Sequence, residues 1–223
     1  MLQRQRVRAA CGLVLTLALL HFVPNRLLVL FLLLGLWSVL FFPLSRAELA
    51  AFALAALFFL LQNYVCLKAG LFEFRFKDVL LMPYYEPFLW GFYFVTLKRA
   101  ISGVNRDAVT IDARSVAGLI VTSLAFSLFS FDPRVLLVAT ACSTTLLLVM
   151  FHERIDRWYA LCALALGFII ELFGVSTHLW SYPASDFLGI PYWFATMWMS
   201  AGLLGRRFLI PASEWLAAPH LRR

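Results

Sequence analysis

Charge is what this 223-residue chain has least of: 14% of its residues are Asp, Glu, Lys or Arg, against about 25% in a soluble domain. That deficit excludes intrinsic disorder, a coiled coil and an ordinary soluble enzyme. Cysteine is also scarce. Cys11, Cys66, Cys142 and Cys162 stand alone inside apolar runs without a CxxC pair, so neither a disulfide framework nor a zinc site is expected. There is no Gly-rich phosphate loop, GxSxG elbow or dinucleotide fingerprint, which argues against nucleotide binding and serine hydrolysis. Without an HxxxH or ExxH pair to fix ligands on one helix face, no metal is expected, and no cofactor. Strict apolar/polar alternation is missing, which argues against an outer-membrane barrel. No internal repeat stands out.

What the chain does have is apolar length. Hydrophobic residues make up 63% of it, and its mean hydropathy is +0.86. Apolar runs cover residues 9–23, 27–42, 49–67, 79–97, 116–131, 135–151, 158–175 and 192–204. A spanning helix needs about 20 such residues; the shorter runs can span by snorkelling their flanking Arg and Lys. The expectation is an all-α polytopic bundle of eight spans forming one integral membrane domain over residues 1–223. In the alternative, residues 9–23 are re-entrant and seven spans remain. That first run resembles a signal peptide, but it ends at Pro24-Asn25-Arg26 without a small-x-small cleavage site, so it reads as a retained span.

The net charge of +7 is read as cytoplasmic anchors and lipid-headgroup contacts. With no basic stripe or base-stacking motif, nucleic acid is not an expected partner. With eight spans and a cytoplasmic N-terminus, 14 Lys and Arg fall inside and 5 outside, and the last outside loop, residues 176–191, has none. The positive-inside rule therefore puts both termini in the cytoplasm of a bacterial inner membrane. The basic connector over residues 98–115 reads as a headgroup-facing amphipathic segment. Ser and Thr in the fifth and sixth spans, such as Thr122, Thr140 and Thr144, read as helix-packing residues.

Ionisable groups inside spans are costly and therefore functional candidates. Glu86 lies between Pro83 and Pro87, and Glu171 lies in Ile-Ile-Glu-Leu-Phe-Gly. At 1.5 Å per residue, Glu86 falls about 10 Å and Glu171 about 6 Å below the outer face. Irregular backbone at membrane depth is tolerated where it lines a cavity, and the two prolines suggest one beside Glu86. At the same level lie His21, Asn63, Tyr85 and, in the last outside loop, Thr177, His178, Trp180 and Tyr182. Such convergence is what a binding site near the outer face needs. The carboxylates are the candidate catalytic pair, facing one cavity, and the others candidate substrate contacts. Residues 176–191 are too apolar for a free aqueous loop and should form a packed cap.

The run from Glu171 through Val175 and Thr177, then Trp180-Ser181-Tyr182-Pro183, Gly189-Ile190-Pro191 and Trp198, resembles the C-terminal signature of membrane carotenoid hydratases. It is loosely similar to membrane lycopene cyclases, whose acidic pair is reduced here to Glu86. It is also similar to uncharacterised bacterial membrane proteins with a Glu-Leu-Phe…Trp-Ser-Tyr-Pro stretch. The likeness covers about 30 of the 223 residues, and His178 stands where the hydratases usually have Gly. It implies protonation of an alkene in an isoprenoid or other apolar lipid, with Glu171 as acid and Glu86 as counter-base or water positioner. Two alternatives stay open: a non-catalytic membrane assembly or binding subunit that docks a protein or a lipid headgroup, and a small proton-coupled transporter.

Overall fold

The computed structural model describes residues 2–101 and 109–218. Its elements are α1 (Leu2–Phe22), α2 (Arg26–Leu40), α3 (Arg46–Lys68), β1 (Glu73–Phe74), α4 (Glu86–Ile101), α5 (Ala113–Leu128), α6 (Pro133–Met150), α7 (Arg154–Ser176), β2 (Trp180–Ser181), α8 (Trp193–Leu204), a π-helical turn over Gly205–Leu209 and α9 (Ile210–Ala217). By length and composition α3, α6 and α7 are able to cross a membrane, while α2 and α5 are shorter apolar helices. Phe31, Val39, Val138 and Val149 are each at least 64% exposed. Water disfavours an apolar surface of that extent and lipid accepts it. The chain is an all-α, multi-pass membrane bundle.

Short polar segments between apolar runs supply the helix caps. Asn25 accepts from the backbone N–H groups of Leu27 and Leu28. Ser45 and Glu48 close a capping box on α3, as Asp112 and Ser115 do on α5. Asp132 caps α6 ahead of Pro133, a position where proline loses no helical hydrogen bond. Each cap satisfies amide groups that would otherwise be left without partners at a helix start.

Two expectations about the backbone need correction. Apolar residues 79–85 do not begin the fourth helix. They form a tight turn in which Val79 and Met82 exchange backbone hydrogen bonds, with Leu80 and Leu81 at positive φ. Helix α4 starts at Glu86, so Pro83 precedes it and Pro87 sits in its first turn. Neither proline breaks a helical ladder, and Glu86 stands at the end of the helix where negative charge is favoured. The last apolar run also continues past residue 204, through the π turn into α9. Pro211 lacks the N–H that an α-helix would require there, and the Ile210 N–H bonds instead to the Gly205 carbonyl.

The basic residues are also not all surface anchors. Arg99 is buried, with Nε 2.7 Å from Glu48 Oε1 and Nη2 2.9 Å from the Phe41 carbonyl. Arg206 and Arg207 both bind Asp156 and Glu153. The middle of the basic connector, residues 102–108, lies outside the described residues. Two of the Thr residues read as packing groups link α6 to α8: Thr144 Oγ1 lies 2.8 Å from Ser200 Oγ, and Thr196 donates to Thr140 at 2.7 Å. Thr122 is buried without a hydrogen-bond partner among the described residues.

Packing brings α4 and α9 onto α3, and sets α8 between α6 and α7. At the end of the bundle where α3 and α7 finish, β1 pairs antiparallel with β2, Glu73 opposite Ser181 and Phe74 opposite Trp180. That ladder ties the α3–α4 loop to the α7–α8 loop. Leu179, Trp180 and Ile190 are buried, so the two ends of the segment after α7 pack as its apolar content predicts. Phe187 and Leu188, however, are 54% and 58% exposed, and the middle of the segment is not packed.

Candidate functional site

Beneath the β1–β2 cap, α3, α4, α7 and α8 each contribute polar side chains to one small chamber. Glu86 and Glu171 both line it, with Asn63, Trp90, Tyr93, Trp180, Tyr182 and Trp198 among its walls. Its volume is about 40 Å³, room for about two or three waters. Both carboxylates are buried, at 7% and 6% exposure, and among the lining residues there is no Lys, Arg or His.

Glu171 collects three donors. Tyr182 OH lies 2.7 Å and Trp180 Nε1 2.8 Å from Oε2, and Trp198 Nε1 reaches Oε1 at 3.5 Å. Local sequence makes this possible. Gly174 and Gly167 flank Glu171 by about one helical turn on either side. A Cβ at Gly174 would overlap the Trp180 ring, and one at Gly167 the Trp198 ring. Two indoles can therefore lie flat on α7 and turn their N–H groups to the carboxylate between them. Glu86 receives Trp90 Nε1 at 3.1 Å and Asn63 Nδ2 at 3.3 Å, both at Oε1. Trp90 lies one turn beyond Glu86 on the same helix face, and its ring stacks between Phe59 and Trp198.

A second cavity adjoins the chamber. It is an apolar groove of about 300 Å³ between α3, α5 and the α8–π-turn segment, lined from Leu54 to Cys66 along α3 and as far as Leu209 at the end of the π turn. At 1.5 Å per residue the α3 wall is about 18 Å long. Leu57 and Leu61, 57% and 58% exposed, stand at its rim, so it opens sideways toward lipid. Asn63, Phe72, Trp193 and Met197 line both cavities.

Of the residues expected from sequence, Glu86, Glu171, Asn63, Trp180 and Tyr182 come together. Four others do not line the chamber. Thr177 donates to the Phe173 carbonyl at 2.7 Å as a helix-end cap. His178 is exposed in the turn that follows, at φ 55°. Tyr85 is buried in the apolar core. His21 is exposed and packs edge-on against Phe22 and Phe173. Among the described residues no three His, Cys, Asp or Glu side chains converge. Sequence reasoning left out Trp90 and Tyr93. The four-residue spacing from Glu86 to Trp90 was the available signal, but an indole in an apolar helix reads equally well as lipid-facing.

No family model and no curated protein matches the chain. Two solved structures share its fold. One is the crystal structure of MvINS, a mycobacterial Insig homolog from Mycobacterium vanbaalenii, with TM-score 0.65 and 14% identity over 78% of this chain and 95% of that one. The other is a cross-linked MvINS trimer, with the same TM-score and coverage and 15% identity. At that identity the likeness is one of fold alone.

Proposed function

We propose that this protein holds one chain-like apolar lipid within the bilayer, its tail in the α3–α5–α8 groove and one end at the carboxylate chamber. One observation carries this reading: groove and chamber share a wall of four residues, Asn63, Phe72, Trp193 and Met197. The groove is apolar, opens to lipid and lies near the lower end of the usual range for ligand sites, about 300–1,000 Å³. It suits one chain better than two. The setting is an inner membrane with the capped end outside, as the 14-to-5 division of Lys and Arg indicates.

Ala201 lines the groove, so Ala201→Trp should fill it. The test is lipid extraction and mass spectrometry of the purified protein. A chain lipid should accompany the wild type and be depleted in the Ala201→Trp variant. Equal lipid in both, with normal folding, would overturn the reading.

A second reading makes the same site catalytic, consistent with the resemblance to carotenoid hydratases. The observation favouring it is that two buried carboxyls share a chamber without a basic partner among its lining residues. One carboxyl could then deliver a proton to an alkene and the other receive one or hold water, while indole faces stabilise a cation. Comparing the lipid and pigment content of cells carrying wild type or a folded Glu171→Gln variant separates the readings. A change in products marks catalysis, and unchanged products leave binding alone.

A further inference from the structure

We infer that the end of the ligand entering the chamber is a free hydroxyl, and that Tyr93 recognises it; this rests on the lipid-binding reading above. Tyr93 is 4% exposed and lines the chamber beside both carboxylates. Its hydroxyl oxygen is buried with no hydrogen-bond partner among the described residues. Buried hydroxyls are almost always paired, and one that is not calls for an explanation.

The remaining hydrogen bonds narrow what could pair with it. Trp180, Tyr182 and Trp198 are committed to Glu171. Asn63 and Trp90 both donate to Oε1 of Glu86, and no described residue donates to its Oε2. Two positions in the chamber are therefore open: the Tyr93 O–H as donor and Glu86 Oε2 as acceptor. A ligand hydroxyl fills both, accepting from Tyr93 and donating to Glu86. A hydrocarbon end fills neither. A carboxylate or phosphate would face two carboxylates without a cation in the walls. A headgroup such as a sugar is too large for about 40 Å³. The class that fits is a neutral single-chain alcohol.

The test uses the full chain in detergent and measures equilibrium binding of radiolabelled hexadecanol, hexadecane, hexadecylamine and hexadecanoate. Hexadecanol should bind wild type about tenfold more tightly than hexadecane, the worth of one good buried hydrogen bond. Tyr93→Phe should remove most of that preference. If wild type binds hexadecanol and hexadecane equally, or prefers the amine or the acid, the hydroxyl assignment is overturned and the groove reading stands. Binding of none of the four would defeat both. A Tyr93→Phe variant that retains the full alcohol preference would remove Tyr93 from the site. Should that variant not fold, the wild-type order of affinities decides alone.

Discussion

Trp90 and Trp198 stack with ring centroids 4.9 Å apart, and each directs its indole N–H to a different carboxylate, Trp90 to Glu86 and Trp198 to Glu171. The aromatic pair thus couples α4 to α8 and fixes both acids at once. The two bonds are not equal. Without Trp90, Glu86 keeps only Asn63 at 3.3 Å. Without Trp198, Glu171 keeps Tyr182 at 2.7 Å and Trp180 at 2.8 Å.

Trp90→Phe should therefore destabilise the protein by about 1–3 kcal/mol, the cost of leaving a buried polar group short of a partner. Trp198→Phe should cost less, because its bond to Oε1 is long and the Glu171 carboxyl keeps two shorter bonds at Oε2. Thermal melts in detergent give the order. A larger loss at Trp198 would mean that ring packing, and not the hydrogen bond, dominates at this pair.

Gly174→Ala should disturb the cap from below. The added methyl meets the Trp180 ring, a rigid group held by its bond to Glu171 and by β1–β2 pairing. Overpacking of that kind costs about 1–3 kcal/mol. Gly70 has open space around its Cβ position but positive φ, so a control is better placed at Gly35, where nothing lies within 4 Å. Gly35→Ala, in the interior of α2, should be neutral to stabilising by up to about 1 kcal/mol. Equal melting temperatures for the Gly174 and Gly35 variants would show that Trp180 can move aside.

The carboxylate pair was legible in the sequence because an acid inside an apolar run carries a cost that demands a reason. The start of α4 was not legible. Val79-Leu80-Leu81-Met82 reads as a helix beginning, and two leucines at positive φ give none of the Gly or Asn signals that mark such a turn. The pairing of Arg206 and Arg207 with acids about 50 positions earlier was equally hidden, since a basic pair closing an apolar run has the pattern of a membrane anchor. His21 and His178 were drawn to the site by shared depth, but depth along a helix says nothing about which way a side chain points.

The arginine pair gives a prediction in pH and one in composition. Arg206, 5% exposed, binds Asp156, which is fully buried, and Glu153 at 2.8 Å. Arg207 and then Arg206 hold the Glu153 carboxyl below its ordinary 4.5. A depressed carboxyl contributes stability that is fully present above the unfolded value and lost as pH falls through the folded one. The advantage of wild type over Glu153→Gln should thus be constant above about pH 5 and vanish on acidification below 4.5. Asp156→Leu, which leaves Arg206 buried beside one half-exposed acid, should cost about 3–5 kcal/mol. Adding Arg206→Met should restore much of that loss. Denaturation of the two variants side by side checks it, and no recovery in the double variant would mean that the ion pairs are net stabilising.

Orientation is the remaining prediction. Ser185 is exposed in the cap segment, and His152 is exposed just before α7. Between them runs the 23-residue α7, about 35 Å long at 1.5 Å per residue and so long enough to separate two aqueous faces. The segment over residues 176–191 has no Lys or Arg, while Arg154, Arg157, Arg206 and Arg207 gather around the start of α7 and the end of α8. Cytoplasmic loops carry such an excess, so Ser185 belongs outside and His152 inside. In a cysteine-free background, Ser185→Cys should react with a membrane-impermeant maleimide in intact cells. His152→Cys should react only after permeabilisation. The opposite pattern would invert the bundle and turn the chamber toward the cytoplasm. Labelling of both positions from outside would mean that α7 does not cross the membrane at all, leaving the two carboxylates in a re-entrant or interfacial fold.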